Sequence, residues 1–364
     1  MGGHGAALFE QPDEDDDEPE ADQMVPGGVG DGGGEAVMDG VGAGLEQVGD
    51  DAERASPLLG ITLTTRDKDK GAQAVPMAGF PHFALEGYLG KLVAAGVRVA
   101  VCEQVEDPKL AKGLVRREVV RVVTPGTLTD DALLDPRAAN YLAAVVESKG
   151  RLGLAWAELS TGRFQASGAL RQDLFDEIAR VQPAEVLVSE LALDAPWVHA
   201  LRQRGLTVTS RPSWDFQAEQ ARQALFHHFR VGSMAGFGLD DHAIEVTAAG
   251  ALIAYLRETQ KTTLNHLTHI APYHTSETMA MDEMTRRGLE ISRTLREGRR
   301  EGSLLQVVDQ TRTPMGARLL AEWLTAPMTG LDAIARRHEV VAELVHEPEL
   351  RQDLRGLLDQ VNDV

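Results

Sequence analysis

The chain has 364 residues, a single cysteine and a formal net charge of −20 at pH 7. This length allows two or three domains of ordinary size, and one cysteine, Cys102, excludes an internal disulfide and a site built on several thiolates. No apolar run reaches the ~18 residues that a membrane helix needs, and the N-terminus lacks a secretory signal pattern. A cytoplasmic protein with no membrane partner is therefore expected.

The negative charge is concentrated at the N-terminus. Residues 1–55 contain sixteen acidic side chains and only one basic side chain, Arg54, so the rest of the chain is mildly acidic. Residues 1–49 are rich in Gly, Asp and Glu and show no apolar period, which predicts a disordered acidic tail. Binding of this tail to a basic partner is the alternative. Any contact with an anionic partner would then have to come from local basic faces.

An ordered pattern begins near Leu58. Residues 59–65 alternate in polarity, which predicts a strand, and the charged segment 66–71 predicts a polar turn. Residues 85–93 repeat apolar side chains at three and four positions and predict a helix that stops at Gly96. Residues 97–102 and 118–123 predict two strands, the second of which ends at the Pro125-Gly126 turn.

The middle of the chain predicts a second α/β unit. Three apolar runs at 141–146, 153–159 and 163–166, joined by short turns, predict a three-stranded meander. A helix at 173–181, a strand at 185–188 and a helix at 196–203 follow. Glu158 and Asp173 suggest a nuclease, but two-metal cleavage needs several converging carboxylates and the strands offer only one. Four histidines lack metal-ligand spacing, and solvated or helix-end roles are favoured; they are His227, His228, His242 and His266.

Beyond residue 242 the pattern is helical. A long helix starts near Ile244, and Ser303, Thr313 and Asp332 are predicted N-caps of three further helices. The arginine-rich run 286–300 either pairs with acidic neighbours or contacts DNA. The sequence stops inside a helical pattern, so one apolar stripe is expected to lack partners; it comprises Leu350, Leu354, Leu357 and Leu358.

Several stretches resemble the MutS family of bacterial DNA mismatch repair proteins. In the first unit they are MAGFPHFALEGYLGKLV, VCEQVEDP, AKGLVRREVVRVVTPGTL and NYLAA, and in the helical region YLRETQKTTLNHL and TLREGRREGSLLQVVDQTRTPMGARLLAEWL. The resemblance covers roughly Asp50 to Val364 and fails at both ends, so the chain is expected to be an N-terminal fragment of a MutS-like protein.

The resemblance implies a fold for each region. After the tail (1–49) come an incomplete mismatch-recognition domain (50–135), a connector domain (140–238) and the truncated start of a core or lever domain (242–364). The expected fold class is α/β for the first two domains, a mixed sheet and then a ribonuclease-H-like fold, followed by an all-α core segment.

The resemblance also implies a function, which is binding of mispaired double-stranded DNA in repair, with a MutL-like partner and a homodimer in the complete family protein. Four residues are candidate DNA-backbone contacts by charge and resemblance, although surface charges are often only solvated; they are Arg66, Lys68, Lys70 and His82. ATP and magnesium belong to the complete family protein. This chain has no Gly-x-x-x-x-Gly-Lys-Ser/Thr sequence, so we expect no cofactor, no metal and no catalytic residue in it.

One departure from the family is important. MutS relatives carry a Phe-x-Glu motif directly before the stretch that here reads GDDAERASPLLGITLTTRDK, and this chain has no such motif. The phenylalanine stacks on a mispaired base and the carboxyl group hydrogen-bonds to that base's exposed edge. Mismatch reading is therefore expected to be impaired. The alternative function is an interaction module that does not bind DNA and that docks a MutL-like partner through the connector.

Overall fold

The computed structural model describes residues 35–41, 44–65, 75–106, 115–130 and 133–361, with the backbone alone for residues 35–48 and for His82. The chain divides into two compact units. The first contains residues up to 133 together with 256–264, and the second contains residues 134–255 and 265–364. Within the described ranges, no helix is both long enough and apolar enough to cross a membrane.

The first unit is built on a mixed six-stranded sheet in the order β3-β4-β2-β1-β5-β6. Its elements are β1 (Glu35–Val41), β2 (Gly44–Val48), α1 (Gly49–Leu59), β3 (Thr64–Thr65), β4 (Pro76–Pro81), α2 (Leu85–Ala94), β5 (Arg98–Gln104) and β6 (Arg117–Val123). β1 runs parallel to β5, and the other neighbouring strands are antiparallel. The mixed α/β fold expected here is confirmed.

The strands β1 and β2 correct the predicted tail. Residues 35–41 and 44–48 were expected to be disordered, yet β1 pairs with β5 and β2 pairs with β4. The prediction failed because it used composition and local apolar period, whereas a strand is stabilised by neighbours that lie far away in sequence. The rest of the predicted tail, residues 1–34, lies outside the described residues, as do residues 42–43.

The helix α1 corrects the strand predicted at residues 59–65. Ala52, Ala55 and Leu59 are buried on one face of α1, a spacing of three and four residues that suits a helix. Gly60 ends the helix in the left-handed region, with φ of +68°, where glycine carries no steric penalty. Only Thr64–Thr65 of the predicted strand pairs with β4.

The predictions for α2, β5 and β6 are confirmed. Leu89, Leu92 and Val93 of α2 are buried, and they pack in one apolar cluster with side chains of the two strands, including Val99 and Val123. Cys102 is buried in β5. The predicted polar turn at 66–71 lies outside the described residues.

The second unit contains another mixed six-stranded sheet, in the order β11-β10-β7-β8-β9-β12. Its strands are β7 (Tyr141–Ser148), β8 (Arg151–Glu158), β9 (Arg163–Leu170), β10 (Glu185–Ser189), β11 (Thr207–Arg211) and β12 (Ala271–Pro272). Its helices are α3 (Leu174–Val181), α4 (Pro196–Gln203), α5 (Ala218–Phe229), α6 (Ile244–Gln260, which ends in the first unit), α7 (Glu283–Gly288), α8 (Leu304–Val308), α9 (Pro314–Thr325), α10 (Leu331–His346) and α11 (Pro348–Leu358).

The predicted meander forms the middle of this sheet. β7, β8 and β9 are antiparallel neighbours, and β10 and β11 run parallel to β7. Trp156 of β8, 2% exposed, lies in the apolar cluster formed with α3 and α4. α6 packs closely on α5, since a Cβ added at Gly250 would lie 2.2 Å from the carbonyl oxygen of Ala221. Only glycine allows that approach.

The helical region confirms two of the three predicted caps. The side chain of Ser303 accepts a hydrogen bond from the Gln306 amide, and that of Thr313 accepts one from the Gly316 amide. Asp332 is not a cap, because α10 begins one residue earlier, at Leu331, and its N-cap is Gly330. An aspartate in the first turn of a helix is instead stabilised by the helix dipole.

Residues of the predicted connector and of the predicted core both contribute to this second unit. Arg163 of β9 donates two hydrogen bonds of 2.6 Å to the carboxylate of Glu322 on α9. This paired geometry is a strong form of arginine–carboxylate contact. The stripe predicted to lack partners is exposed: Leu350, Leu354, Leu357 and Leu358 are 42%, 39%, 61% and 43% accessible.

Candidate nucleic-acid interface

Strand β4 organises the part of the first unit that carries the DNA-contact candidates. At one end Pro76 pairs with Thr65 of β3, and at the other end Pro81 pairs with Gly44 of β2. Five residue steps along a strand separate these ends by ~17 Å. The two ends of β4 are therefore well separated on the sheet.

Along the sequence, three of the four predicted phosphate contacts precede β4 and the fourth follows it. Arg66, Lys68 and Lys70 lie outside the described residues, in the connection between Thr65 and Pro76. His82 follows Pro81 directly and begins a short 3₁₀ turn, His82–Ala84, although its side chain lies outside the described atoms. The contacts of these four residues with DNA therefore stay predictions.

The segment that directly precedes Gly49 is strand β2, Gly44-Leu45-Glu46-Gln47-Val48. The resemblance implies the Phe-x-Glu motif directly before the stretch that begins at Gly49, so this segment is where it is expected. A glutamate stands here at Glu46, and the position two residues before it is Gly44. Composition assigned these residues to a tail, so Glu46 was not identified from the sequence; the ordered stretch directly after the segment was the available signal.

Phe83 is a second residue that the sequence pattern did not identify. Its side chain is 89% exposed, more than any other large hydrophobic side chain in the described part of the chain. It lies in the turn after Pro81, before α2 begins. Because this position is outside the apolar stripe of α2, the sequence could have indicated that the ring is not part of the core. An exposed aromatic ring can stack on a nucleic-acid base, so the Pro81 end of β4 offers an aromatic surface.

Two arginines of β6 and its flank have acidic partners. Arg116 pairs with Glu118, both well exposed, and Arg121 lies 3.3 Å from Asp130. An exposed pair such as Arg116–Glu118 contributes only ~0–1 kcal/mol. Both pairs nevertheless reduce the net positive charge that this strand can offer to phosphates.

The second unit places the other candidates in structural roles. Glu158 is 4% exposed and accepts a hydrogen bond of 2.8 Å from the Thr161 hydroxyl, and His228 bonds the Leu267 carbonyl at 2.8 Å. In the described residues, no three His, Cys, Asp or Glu side chains are grouped closely enough to hold a metal ion. In the arginine-rich run, Arg300 pairs with Asp309 and Arg299 with Glu297.

Comparison with known proteins gives three consecutive matches. The family models described as MutS domain I, MutS domain II and MutS domain III match residues 38–132, 140–270 and 284–364. The first match begins at residue 38, ahead of Asp50, the residue at which the sequence resemblance was expected to start. It therefore includes β2 and most of β1.

Individual relatives agree with these matches. The chain is 46% identical over 336 residues to a DNA mismatch repair protein MutS of Rhodopirellula baltica, and 45% identical over 320 residues to one of Symbiobacterium thermophilum. Each alignment covers 86% of this chain but only 37% of the relative, so the chain spans little more than a third of the length of these relatives. The three family models together account for most of its residues, and the chain belongs to the MutS family of DNA mismatch repair proteins.

Proposed function

We propose that this chain binds double-stranded DNA through the first unit, with little preference for mispaired steps. The observation that carries the proposal is the position of β2. The strand is paired within the sheet of a MutS domain I match, and it has Gly44 and Glu46 where the family's Phe-x-Glu motif is expected. The sheet supports the proposal because it retains this strand, and residue 44 carries no aromatic side chain.

The physical consequence follows from how a mismatch is read. A mispaired step is easier to unstack and kink, and a reader exploits this by inserting an aromatic side chain worth ~1–3 kcal/mol of stacking. Since each 1.4 kcal/mol is about tenfold in affinity, loss of the ring removes roughly 5–150-fold of selectivity. Binding that depends on phosphate contacts alone weakens steeply as salt rises.

The test is a titration of matched and G·T-mismatched duplexes at two salt concentrations, with the native chain and the Gly44→Phe variant. We expect the native chain to bind both duplexes weakly and alike, with affinity that falls at higher salt. Gly44→Phe restores the Phe-x-Glu spacing with Glu46, and it should raise the preference for the mismatch by roughly 5–150-fold.

The matched control is Gly44→Leu, which adds an apolar side chain of similar bulk without an aromatic ring. It should leave the preference unchanged. A native preference above about tenfold that persists at the higher salt, or an equal gain with leucine, would show that other residues read the mismatch.

A second candidate function, docking of a MutL-like partner, is supported by an apolar patch on the second unit. Leu191 is 82% exposed and Trp214 is 59% exposed. They follow the carboxyl ends of the neighbouring parallel strands β10 and β11, and a 2.8 Å hydrogen bond from the Ser213 amide to Glu190 joins their two turns. Exposed aromatic and apolar side chains placed together are typical of interface centres.

We expect the double variant Leu191→Ser/Trp214→Ser to weaken capture of a purified MutL protein by at least about tenfold while leaving DNA binding unchanged, because hot-spot residues of this kind often contribute 2 kcal/mol or more. Biosensor binding measures the effect, and circular dichroism checks the fold. Leu289→Ser, at another exposed leucine of this unit, is the control. Equal binding by all three proteins would remove this candidate.

The fold type of the connector is also part of this proposal. We infer a ribonuclease-H-like connector, supported by the spatial order β9-β8-β7-β10-β11 with β8 antiparallel to both of its neighbours. ATP hydrolysis and dimer formation are proposals for the complete family protein. This sequence has no P-loop, and we expect no specific ATP binding by it.

A further inference from the structure

An arginine-lined cavity of about 480 Å³ lies in the second unit. Four arginines line it, Arg137 from the turn before β7, Arg300 from the loop before α8, Arg312 from the loop before α9 and Arg355 from α11. The lining also contains the amides of two glutamines and only two carboxylates, so positive charge is in excess; these residues are Gln306, Gln310, Asp135 and Asp309.

Asp309 fixes two of the arginines. Its side chain is 4% exposed and accepts hydrogen bonds from Arg137 at 2.9 Å, from Arg300, and from the Thr311 hydroxyl at 2.6 Å. Burial raises the pKa of Asp309, but the hydrogen bonds from Thr311 and Arg137 outweigh it and hold the pKa below its ordinary value. One negative charge is therefore shared by two guanidinium groups, and a net positive charge remains beside the cavity.

The other two arginines are only weakly engaged. Arg312 lies 3.7 Å from Asp359, with the two side chains 44% and 50% exposed, which is the geometry of a weak surface pair. Within residues 133–361, no ion pair or hydrogen bond to the Arg355 side chain is present. Both guanidinium groups have donors available for a ligand in the cavity.

We propose that the arginine cavity binds phosphate oxyanions, either those of a small phosphate compound or the terminal phosphate of a nucleic-acid strand. The planar guanidinium group presents paired donors that match two phosphate oxygens, and amide donors from Gln306 and Gln310 can serve a further oxygen. The cavity has room for more than one phosphate group. It lies in the second unit and does not depend on the DNA interface proposed for the first.

The test is isothermal titration of the full chain with pyrophosphate at constant ionic strength. We expect saturable binding with a Kd of about 1 mM or below. The double variant Arg312→Gln/Arg355→Gln should weaken it by at least about tenfold, because hydrogen bonds to charged groups are the stronger class. Neither side chain is held by Asp309, so the variant should fold, and its thermal midpoint checks this. If it melts early, Arg355→Gln alone replaces it.

The matched control is Arg287→Gln/Arg336→Gln, which removes the same charge from exposed positions of this unit. Equal weakening by both double variants, or no saturable binding by the native chain, overturns the proposal. Titration with a 5′-phosphorylated oligonucleotide distinguishes a small phosphate compound from the terminal phosphate of a nucleic-acid strand. Tighter binding than its unphosphorylated form, lost only in Arg312→Gln/Arg355→Gln, identifies the terminal phosphate as the ligand, and equal binding identifies the small compound.

Discussion

Replacing Trp156 by alanine is expected to destabilise the second unit by about 3–5 kcal/mol. Trp156 is 2% exposed and lies in the cluster that β8 forms with α3 and α4. Its removal leaves a cavity that the surrounding side chains cannot fill, because protein cores are closely packed and relax only in part.

The loss should exceed that of an ordinary apolar side chain because Trp156 also has two aromatic contacts. Its ring meets the edge of Tyr273 at 5.6 Å between centroids, and the guanidinium of Arg180 lies 4.8 Å from its centroid. Arg180 also lies 3.8 Å from the Tyr273 ring and is held by Glu177. Each such contact is worth ~0.5–1.5 kcal/mol.

Chemical denaturation followed by circular dichroism measures the change. Trp214→Ala is the matched control, since that tryptophan is 59% exposed and its loss should change the free energy of unfolding by less than ~1 kcal/mol. Similar losses at the two positions would contradict the assignment of Trp156 to the core.

Replacing Glu185 by alanine is the other change with a large expected effect, a loss of about 3 kcal/mol. Glu185 is fully buried, and its carboxylate accepts hydrogen bonds from the Thr209 hydroxyl at 2.7 Å and from the Tyr255 hydroxyl at 2.8 Å. Alanine removes the acceptor from two buried hydroxyl groups at once. The free-energy penalty of leaving a buried polar group without a partner is larger than the net stabilisation that one hydrogen bond contributes to folding.

A double-mutant cycle tests this explanation. In the background Thr209→Val/Tyr255→Phe, both donors are already absent, so the further change Glu185→Ala should cost much less than it does in the native chain. Thermal and urea unfolding of the four proteins give the coupling energy. Additive losses would show that Glu185 stabilises the unit through other contacts.

The sequence was a good guide wherever a local period coincided with a buried face. The stripe of α2 and the alternating runs of β7, β8 and β9 predicted their elements, because burial on one side imposes a period of 3.6 or 2 residues on the apolar side chains. Ser303 and Thr313 were recognisable as caps for a similar reason, since a cap depends only on the next three residues.

Local reasoning failed where distant parts of the chain decide the structure. β1 and β2 are strands because β5 and β4 pair with them, and nothing within residues 35–48 gives a strong strand period. The strand predicted at residues 59–65 was wrong because alternation after Leu59 was read without the buried helical face formed by Ala52, Ala55 and Leu59.

By itself the sequence determined the family resemblance, the absence of a P-loop and the helices and strands with regular apolar faces. Tertiary structure decided which chemical groups meet. It pairs Gly44 with Pro81 at one end of β4, and it brings Arg137 to Asp309, 172 residues away along the chain. Side chains so far apart leave no local pattern, because their contact depends on sheet register and helix packing rather than on spacing.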